Sequence, residues 1–199
     1  GITGAHTELH RAGLFERIHD VQCFDGAAVA SSIINPHHLA MSASEYANPL
    51  DSRAIVNRLD VMVLGAVEID RQFNVNVTIG GDGRLIGGPG GHPDAAEGAR
   101  LTIVTTGLGG GGYAKLVDDV RCVTTQGRHI DVLVSDEGIA VNPARADLAA
   151  DLKRAGLPLF SFDALKATAD QSATRLRCAA ATSPRLLIEH RSGGLLDWA

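Results

Sequence analysis

The sequence predicts an α/β domain whose sheet is at least partly parallel. Short runs rich in Val, Ile and Thr alternate with segments in which apolar residues recur at helical spacing. Some strand-like runs are almost entirely apolar, which is typical of strands buried on both faces of a parallel sheet. The chain has 199 residues, of which 45% are hydrophobic. It is therefore long and apolar enough to bury a substantial core.

The individual elements follow from composition and from start and stop signals. Runs rich in β-branched residues and bounded by Gly, Asp or Asn predict strands at 61–67, 74–79, 101–106, 120–125 and 130–134. Helical patterns predict helices at 5–18, 27–34, 93–100, 144–155 and 162–171. Pro93 and Pro143 suit first helical turns, and Gly156 suits a helix end.

The end of the chain has a different pattern. An apolar run at 186–190 precedes an Arg-Ser-Gly-Gly sequence at 191–194 and a second apolar run at 195–198. The segment 182–199 is therefore predicted to be a terminal β-hairpin that packs on the domain. Because no repeat or low-complexity linker interrupts the chain, we predict one domain over residues 1–199.

Charge and composition argue against several classes of partner. The formal net charge is -5 and the 18 Lys and Arg residues are scattered, so we expect neither nucleic acid nor a membrane surface as partner. No apolar run reaches the roughly 18 residues of a membrane span. Cys23, Cys122 and Cys178 are widely spaced and form no CxxC pair, which favours a reducing compartment, and we expect the cytoplasm.

The histidines do not predict a metal site. His6 and His10 share one face of the first predicted helix, but Glu8 lies on the opposite side and the order differs from HExxH. His37 and His38 follow a proline in a loop and have no ligand spacing. We therefore expect no metal.

The most informative segment is the glycine-rich sequence 87–94, which precedes a predicted helix. Gly90 and Gly91 allow close backbone approach, and a helix that begins near Pro93 presents unpaired amide groups to an anion or an oxyanion. The segment predicts a pocket for a carboxylate or a thioester carbonyl, with His92 and Asp94 as its side chains and His92 as a candidate catalytic residue. The alternative is a glycine-rich turn in which Asp94 only balances the helix dipole.

Two further groups of polar residues are candidates for substrate contact. Asn74 and Asn76 alternate along a predicted strand and so share one face, where they suit the wall of a cleft; the alternative is a solvated edge strand. Ser42, Tyr46 and Asn48 lie in a loop with hydroxyl and amide groups suited to binding substrate. The alternative for that loop is a capping or turn segment.

The glycines at 107–112 satisfy the GxGxxG spacing after a predicted strand, with Asp131 at a suitable distance. A nicotinamide-binding domain is therefore one alternative function. Against it, the sequence returns quickly to a strand pattern, whereas the dinucleotide fingerprint leads directly into an amphipathic helix.

Several segments resemble citrate lyase alpha chains, in the same order. They are Gly-Gly-His-Pro-Asp-Ala-Ala-Glu-Gly-Ala at 90–99 and the segments at 42–49, 57–60, 68–77, 123–127 and 131–143, together with the closing hairpin. The resemblance covers nearly the whole chain and corresponds to the later half of the family's chain. It implies a CoA-transferase-like α/β fold in which two similar halves face each other across the site.

The resemblance also implies an activity and partners. Acetyl-thioester and citrate exchange to give citryl-thioester and acetate, on CoA or on the CoA-like prosthetic group of an acyl carrier subunit. A beta subunit then cleaves the citryl-thioester. The implied partners are the beta subunit, the acyl carrier subunit, the chain's own N-terminal half and further copies in an oligomer.

Two carboxylates are candidates for covalent catalysis, Glu8 and Glu45. Glu8 lies in a His-Thr-Glu segment similar to that of butyrate-type CoA transferases, whereas the resemblance to citrate lyase alpha chains implies an anhydride route without a covalent enzyme intermediate. We therefore expect this half to supply binding groups and oxyanion donors. The alternative for Glu8 is a solvated helix acid.

The chain departs from the family after residues 101–106. Citrate lyase alpha chains typically carry arginines there, whereas 107–112 contains only glycine and leucine. Arg84, Arg100 or the missing half are the candidates to compensate. This leaves open a CoA transferase for another small carboxylate, or a ligand-sensing domain without catalysis.

Overall fold

The structure, a computed structural model, describes residues 1–178 and 187–198. The chain divides into two compact units, Gly1–Ile55 and Val56–Ala199, and each is described by itself. That residues 1–199 form one domain stays a prediction.

Six α-helices and twelve strands lie in the described part of the chain. The helices are α1 (Gly4–Arg11), α2 (Gly26–Ile34), α3 (Ala43–Ala47), α4 (His92–Gly98), α5 (Ala146–Arg154) and α6 (Phe162–Ser172). The strands are β1 (Ile18–Asp20), β2 (His38–Ala40), β3 (Val61–Gly65), β4 (Glu68–Ile69), β5 (Val75–Asn76), β6 (Leu101–Thr105), β7 (Gly109–Gly110), β8 (Tyr113–Ala114), β9 (Val132–Val134), β10 (Ile139–Val141), β11 (Leu187–Glu189) and β12 (Leu195–Trp198). Short 3-10 helices occur at Ile55–Arg58 and Gly127–His129.

The first unit is a small β-α-β arrangement. Strands β1 and β2 pair in parallel, with Ile18 opposite His38, and α2 connects them. Helix α2 begins where the Asp25 carboxylate accepts a hydrogen bond from the amide of Ala28 at 2.8 Å, which satisfies one of the unpaired first-turn donors. The buried apolar residues of this unit are Ile18, Ala28 and Ala54, so its described apolar core is small.

The second unit is built on a four-stranded sheet with the order β10-β9-β6-β3. Strands β3, β6 and β9 are parallel, and β10 pairs antiparallel with β9. The predicted α/β class with a partly parallel sheet is therefore confirmed. Buried apolar side chains pack on this sheet, including Ile69, Phe73, Val104, Leu116 and Leu133.

Most predicted elements form, with three differences. The predicted helix 5–18 ends at Arg11, and Ile18 instead begins a strand. The predicted strand 74–79 is reduced to β5, because the Asn76 side chain accepts the amides of Thr78 and Ile79 and so turns the chain. The predicted strand 120–125 does not form: backbone pairing of this segment is limited to Thr124 and Thr125 beside Val75, and the Asp197 carboxylate accepts the amide of Val123 at 2.7 Å.

The predicted terminal hairpin is confirmed for the described residues. Strands β11 and β12 pair antiparallel, and Ile188 is buried against Ile79 and Cys122. Residues 182–186 and 199 lie outside the described residues.

Within the described residues, no helix combines the length and the apolar character needed to cross a membrane.

Candidate functional site at the carboxyl edge of the parallel sheet

The carboxyl ends of β3, β6 and β9 meet at one edge of the four-stranded sheet, which we call the carboxyl edge. Gly65 pairs with Thr105, and Thr105 pairs with Val134. Ligands of open α/β sheets bind outside this edge. An open cavity of about 360 Å³ lies here, lined by Thr105, Thr106, Gly107, Val134, Ser135 and Asp136.

Lys115 places a positive charge beside this cavity. Its ammonium group donates hydrogen bonds to the hydroxyl of Thr106 at 3.2 Å and to the carbonyl oxygen of Ala66 at 3.3 Å. Among the residues that the structure describes, no carboxylate lies within ion-pair distance of Lys115. An ammonium group has three donors, so one remains for a ligand.

The glycine segment 107–112 forms the hairpin of β7 and β8. Gly111 and Gly112 have positive φ values of 60° and 90°, which glycine adopts without strain. A Cβ atom at Gly110 would lie 2.7 Å from Cε of Lys115, so the missing side chain makes room for the lysine. Because a strand and not a helix follows these glycines, the dinucleotide-binding alternative is not supported.

Asp136 joins the loop after β9 to the glycine hairpin. Its carboxylate accepts a hydrogen bond from the amide of Leu108 at 3.0 Å, while Asp136 and Glu137 themselves are exposed. Ser135 turns this loop by accepting the amide of Gly138 at 3.1 Å. Among the described residues, the carboxyl edge thus carries the Lys115 ammonium group, the hydroxyl groups of Thr105, Thr106 and Ser135, and two exposed carboxylates.

His92 lies at the start of α4 and is buried. Its Nε2–H donates to the carbonyl oxygen of Gly65 at 2.9 Å, and its Nδ1 lies 2.7 Å from the hydroxyl of Thr125. Burial lowers the pKa of His92, although the Gly65 hydrogen bond partly opposes this. A neutral ring whose two nitrogens both form hydrogen bonds is suited to hold the start of α4 against the end of β3. Contact between His92 and the substrate stays a prediction.

The other predicted residues of the glycine-rich pocket lie around the first turn of α4. Gly90 has a φ of 53°, and Gly91 is the N-cap residue of this seven-residue helix. Asp94 is partly buried, and this burial raises its pKa even though Arg191 and His190 of the terminal hairpin act in the opposite direction. The positive charge of Arg191 in the terminal hairpin thus acts on the Asp94 carboxyl group.

The side-chain amides of Asn74 and Asn76 both form hydrogen bonds within the protein. Asn74 donates to Asp70 at 3.1 Å and accepts the amide of Gly127 at 2.9 Å. Asn76 is fully buried and donates to the carboxylate of Glu68 at 2.9 Å. These contacts fix turns and strand ends, and their predicted role in substrate binding stays a prediction.

The candidate residues of the first unit also make local contacts. Ser42 and Glu45 form a capping box at the start of α3, in which Glu45 accepts the amide of Ser42 at 2.7 Å. This backbone hydrogen bond lowers the pKa of Glu45. Asn48 ends the helix and accepts the amide of Leu50 at 2.9 Å, and Tyr46 is partly buried.

Glu8 is exposed on α1 and lines an open groove of about 640 Å³ in the first unit. The groove also contains Arg11 and Asn35. A role for Glu8 or Glu45 in catalysis stays a prediction.

Arg84 and Arg100 were expected to replace the arginines that the glycine segment lacks. Their observed contacts are elsewhere than the carboxyl edge. Arg100 directly precedes β6, at the opposite end of that strand, and pairs with Asp60 at 3.2 Å. Arg84 lies 3.7 Å from Asp82 and is 85% exposed. Sequence reasoning instead missed Lys115, although its position just after a glycine run at the end of a predicted strand was a usable signal.

The partly parallel four-stranded sheet and the helices that accompany it make the second unit an α/β domain. Over residues 1–199 the chain matches the family described as citrate lyase, alpha subunit (CitF). The chain belongs to the citrate lyase alpha subunit family.

Relatives and solved structures agree with this assignment. The citrate lyase alpha chain of Klebsiella pneumoniae is 46% identical over 85% of this chain and 34% of its own length. The chain of Haemophilus influenzae is 39% identical over 99% of this chain and 40% of its own length. The structure of a citrate lyase alpha subunit from Streptococcus mutans in complex with citrate superimposes with a TM-score of 0.91 at 38% identity, over 100% of this chain and 39% of that one.

A more distant structure shares the fold alone. RipA from Yersinia pestis has a TM-score of 0.57 at 14% identity, over 86% of this chain and 40% of that one. The chain thus spans roughly a third to two fifths of the length of the relatives it matches.

Proposed function

We propose that this chain forms part of an acyl transferase that exchanges a thioester between acetate and citrate. Acetyl-thioester and citrate give citryl-thioester and acetate, with CoA or a carrier-bound CoA-like group as the thiol. The observation that carries the proposal is the Lys115 ammonium group at the carboxyl edge, held by Thr106 and Ala66 with no carboxylate partner among the described residues. Family membership and the citrate complex of the Streptococcus mutans relative support citrate as the carboxylate.

The chemistry of the proposed reaction needs carboxylate binding and stabilisation of a developing oxyanion. Lys115 supplies a charge-assisted donor, which is about twice as strong as a neutral one. The glycine hairpin leaves space for a thioester to approach the cavity, because Gly109 and Gly110 are exposed and carry no side chains of their own. No attacking side chain is required if a carboxylate of citrate attacks the acetyl-thioester and displaces the thiolate to form a mixed anhydride, whose citryl carbonyl the thiolate then attacks to give the citryl-thioester and release acetate.

The proposed partners follow from the family. A beta subunit would cleave the citryl-thioester, an acyl carrier subunit would present the prosthetic group, and the N-terminal half of the alpha chain would close the site. We also propose an oligomer in the cytoplasm. Co-purification of the chain with these subunits tests the assembly.

The experiment that tests the activity is exchange of labelled acetate into acetyl-CoA in the presence of citrate. It uses the chain joined to the N-terminal half of a citrate lyase alpha chain, while citrate binding is measured on the chain alone. Lys115→Met removes the charge and keeps the apolar stem. Since a hydrogen bond to a charged group contributes about 1.5–3 kcal/mol, citrate binding should weaken roughly 10- to 100-fold.

The matched control is Lys153→Met on the exposed surface of α5, which should bind citrate and exchange normally. Unchanged exchange by Lys115→Met would place the reaction elsewhere. Replacing citrate by acetate, malate or citramalate distinguishes a citrate enzyme from a transferase for another small carboxylate. Binding without any exchange would indicate a ligand-sensing domain.

The anhydride route has its own test. Treatment with acetyl-CoA and then borohydride or hydroxylamine traps a glutamyl-CoA thioester if one forms. We expect no modification of Glu8 or Glu45, and a trapped thioester on either residue would replace the anhydride route by a covalent one.

A further inference from the structure

A second group of chemically reactive side chains lies in the first unit, apart from the residues of the proposed acyl-transfer site. Asp20 ends β1, His38 begins β2, and Cys23 lies in the segment after β1. One ligand atom of each lies within 4.8 Å of the others. The Cys23 thiol donates to the Asp20 carboxylate at 2.8 Å, and Nε2 of His38 lies 3.5 Å from the same carboxylate oxygen.

The His38 side chain is the independent observation that points to a ligand. Its side chain has no solvent exposure, and its buried Nε2 makes no hydrogen bond of good geometry, since the Asp20 carboxylate oxygen beside it lies 3.5 Å away. On the other side of the ring, Nδ1 lies 3.1 Å from the hydroxyl of Ser31. When Nδ1–H donates to Ser31, the lone pair of Nε2 points toward Asp20, as a metal-binding imidazole requires.

A buried ring nitrogen without a well-formed hydrogen bond is costly. An unsatisfied buried polar group costs about 1–3 kcal/mol, and such a group in a folded protein is often explained by an ion. The neighbouring atoms are a carboxylate oxygen and a sulfur, both of which are metal ligands.

We propose that Asp20, Cys23 and His38 bind a divalent, thiophilic transition-metal ion of the Zn²⁺ class. A thiolate, an imidazole and a carboxylate are all ligands that this ion takes, and tetrahedral bonds of about 2.0–2.3 Å place them roughly 3.3–3.6 Å apart. The distance of 3.5 Å between His38 and Asp20 agrees with this spacing. The two negative charges of the thiolate and the carboxylate balance the charge of the ion.

Binding replaces one proton by the metal. The thiol proton that Cys23 shares with Asp20 is released to solvent, and the sulfur and the carboxylate oxygen each form a bond to the ion. The contact of 2.8 Å between them lengthens as their hydrogen bond is lost. Cys23 is partly exposed, so the ion enters from this side and keeps a fourth position for solvent.

We expect the bound ion to stabilise the first unit. The ion joins the segment after β1 to the start of β2, in a unit whose described apolar core consists of Ile18, Ala28 and Ala54. Small units with little apolar core are often stabilised by metal. The spacing of the histidines did not predict this site, because the fold brings Cys23 and His38 together across α2.

Metal binding to the purified 199-residue chain is measured after chelation and dialysis. Co²⁺ is the probe, because a cobalt–thiolate bond gives a charge-transfer band in the near ultraviolet. We expect this band with the native chain, its displacement by Zn²⁺, and retention of about one zinc ion per chain after gel filtration. Zinc should also raise the thermal midpoint of unfolding.

Variants assign the site. Cys23→Ser should abolish the band and His38→Ala should weaken cobalt binding at least tenfold. Cys178→Ser and His37→Ala, which change an exposed cysteine and an exposed histidine, should leave both unchanged. Because His38→Ala changes a buried residue, far-ultraviolet circular dichroism checks its folding, and Cys23→Ser provides the second test.

Two results would overturn the proposal. One is a native chain that neither gives the cobalt band nor retains zinc. The other is a band that persists in Cys23→Ser, which would place the metal at another thiol. Neither result bears on citrate binding by Lys115.

Discussion

The hydroxyl of Thr125 lies 2.7 Å from Nδ1 of His92, in a buried contact between the loop that precedes β9 and the start of α4. Since Nε2–H of the same ring donates to the carbonyl oxygen of Gly65, the hydroxyl must donate to Nδ1 when the ring is neutral. The ring therefore connects three separate segments of the second unit. Its loss affects folding as well as any role in chemistry.

His92→Ala should lower the free energy of unfolding by about 3 kcal/mol, because it leaves the buried hydroxyl of Thr125 and the partly buried carbonyl group of Gly65 without their partner, at about 1–3 kcal/mol each. Thr125→Val should cost about 1–2 kcal/mol for the same reason. Urea denaturation of both single variants and the double variant measures the coupling, which we expect to lie at about 0.5–3 kcal/mol. A fully stable His92→Ala that has lost exchange would instead indicate a catalytic role.

The native chain should lose more stability on acidification than a variant that lacks His92. Burial lowers its folded pKa below the ordinary value of 6.5, so its contribution to stability is fully present above that value. As the pH falls from 6.5 toward the folded pKa, the unfolded chain binds a proton that the folded chain does not, and stability is lost. Urea denaturation at about pH 7.5 and about pH 5.5 should show a smaller loss for His92→Gln than for the native chain; an equal loss would contradict the assignment.

Arg177→Met should destabilise the second unit by about 2 kcal/mol or more. The guanidinium group lies 2.8 Å from the carboxylate of Glu68, whose side chain is 2% exposed, and removing one partner leaves a buried charge without its counterion. Thermal unfolding measures the effect. Arg154→Met, which removes an exposed ion pair on α5, serves as the control and should change little.

Gly110→Ala should weaken citrate binding roughly tenfold while changing stability little. An added Cβ would lie 2.7 Å from Cε of Lys115, and the flexible lysine would move away from Thr106 to relieve the contact. At Gly87 a Cβ meets no atom within 4 Å, so Gly87→Ala is the control. Isothermal titration calorimetry measures the citrate affinity of both variants. Equal affinities would argue against Lys115 as the binding group.

Ser42→Ala should lower the free energy of unfolding by about 1 kcal/mol, the usual effect of losing an N-cap. The hydroxyl of Ser42 accepts the amide of Glu45 at 3.1 Å. Ser52→Ala, at an exposed position of the same unit, should be neutral. An unchanged stability together with weaker substrate binding would favour the predicted substrate contact of Ser42 over the cap.

The sequence by itself determined the fold class, most of the helices, the terminal hairpin and the family. These features depend on local information: β-branched runs, helical periodicity, glycine turns and the order of short segments along the chain. Such signals act over a few residues and can be read without knowing which distant segments meet.

Only the tertiary structure decided which side chains come together. Asn76 and His92 were predicted to face a ligand, yet both are buried and hydrogen-bonded within the protein, Asn76 to Glu68 and His92 to Thr125, 33 residues further along the chain. Lys115 gained its position because the parallel strands bring the ends of β3 and β6 to one edge. Burial and hydrogen-bond partners depend on contacts between distant segments, and a linear pattern of residue types does not specify those contacts.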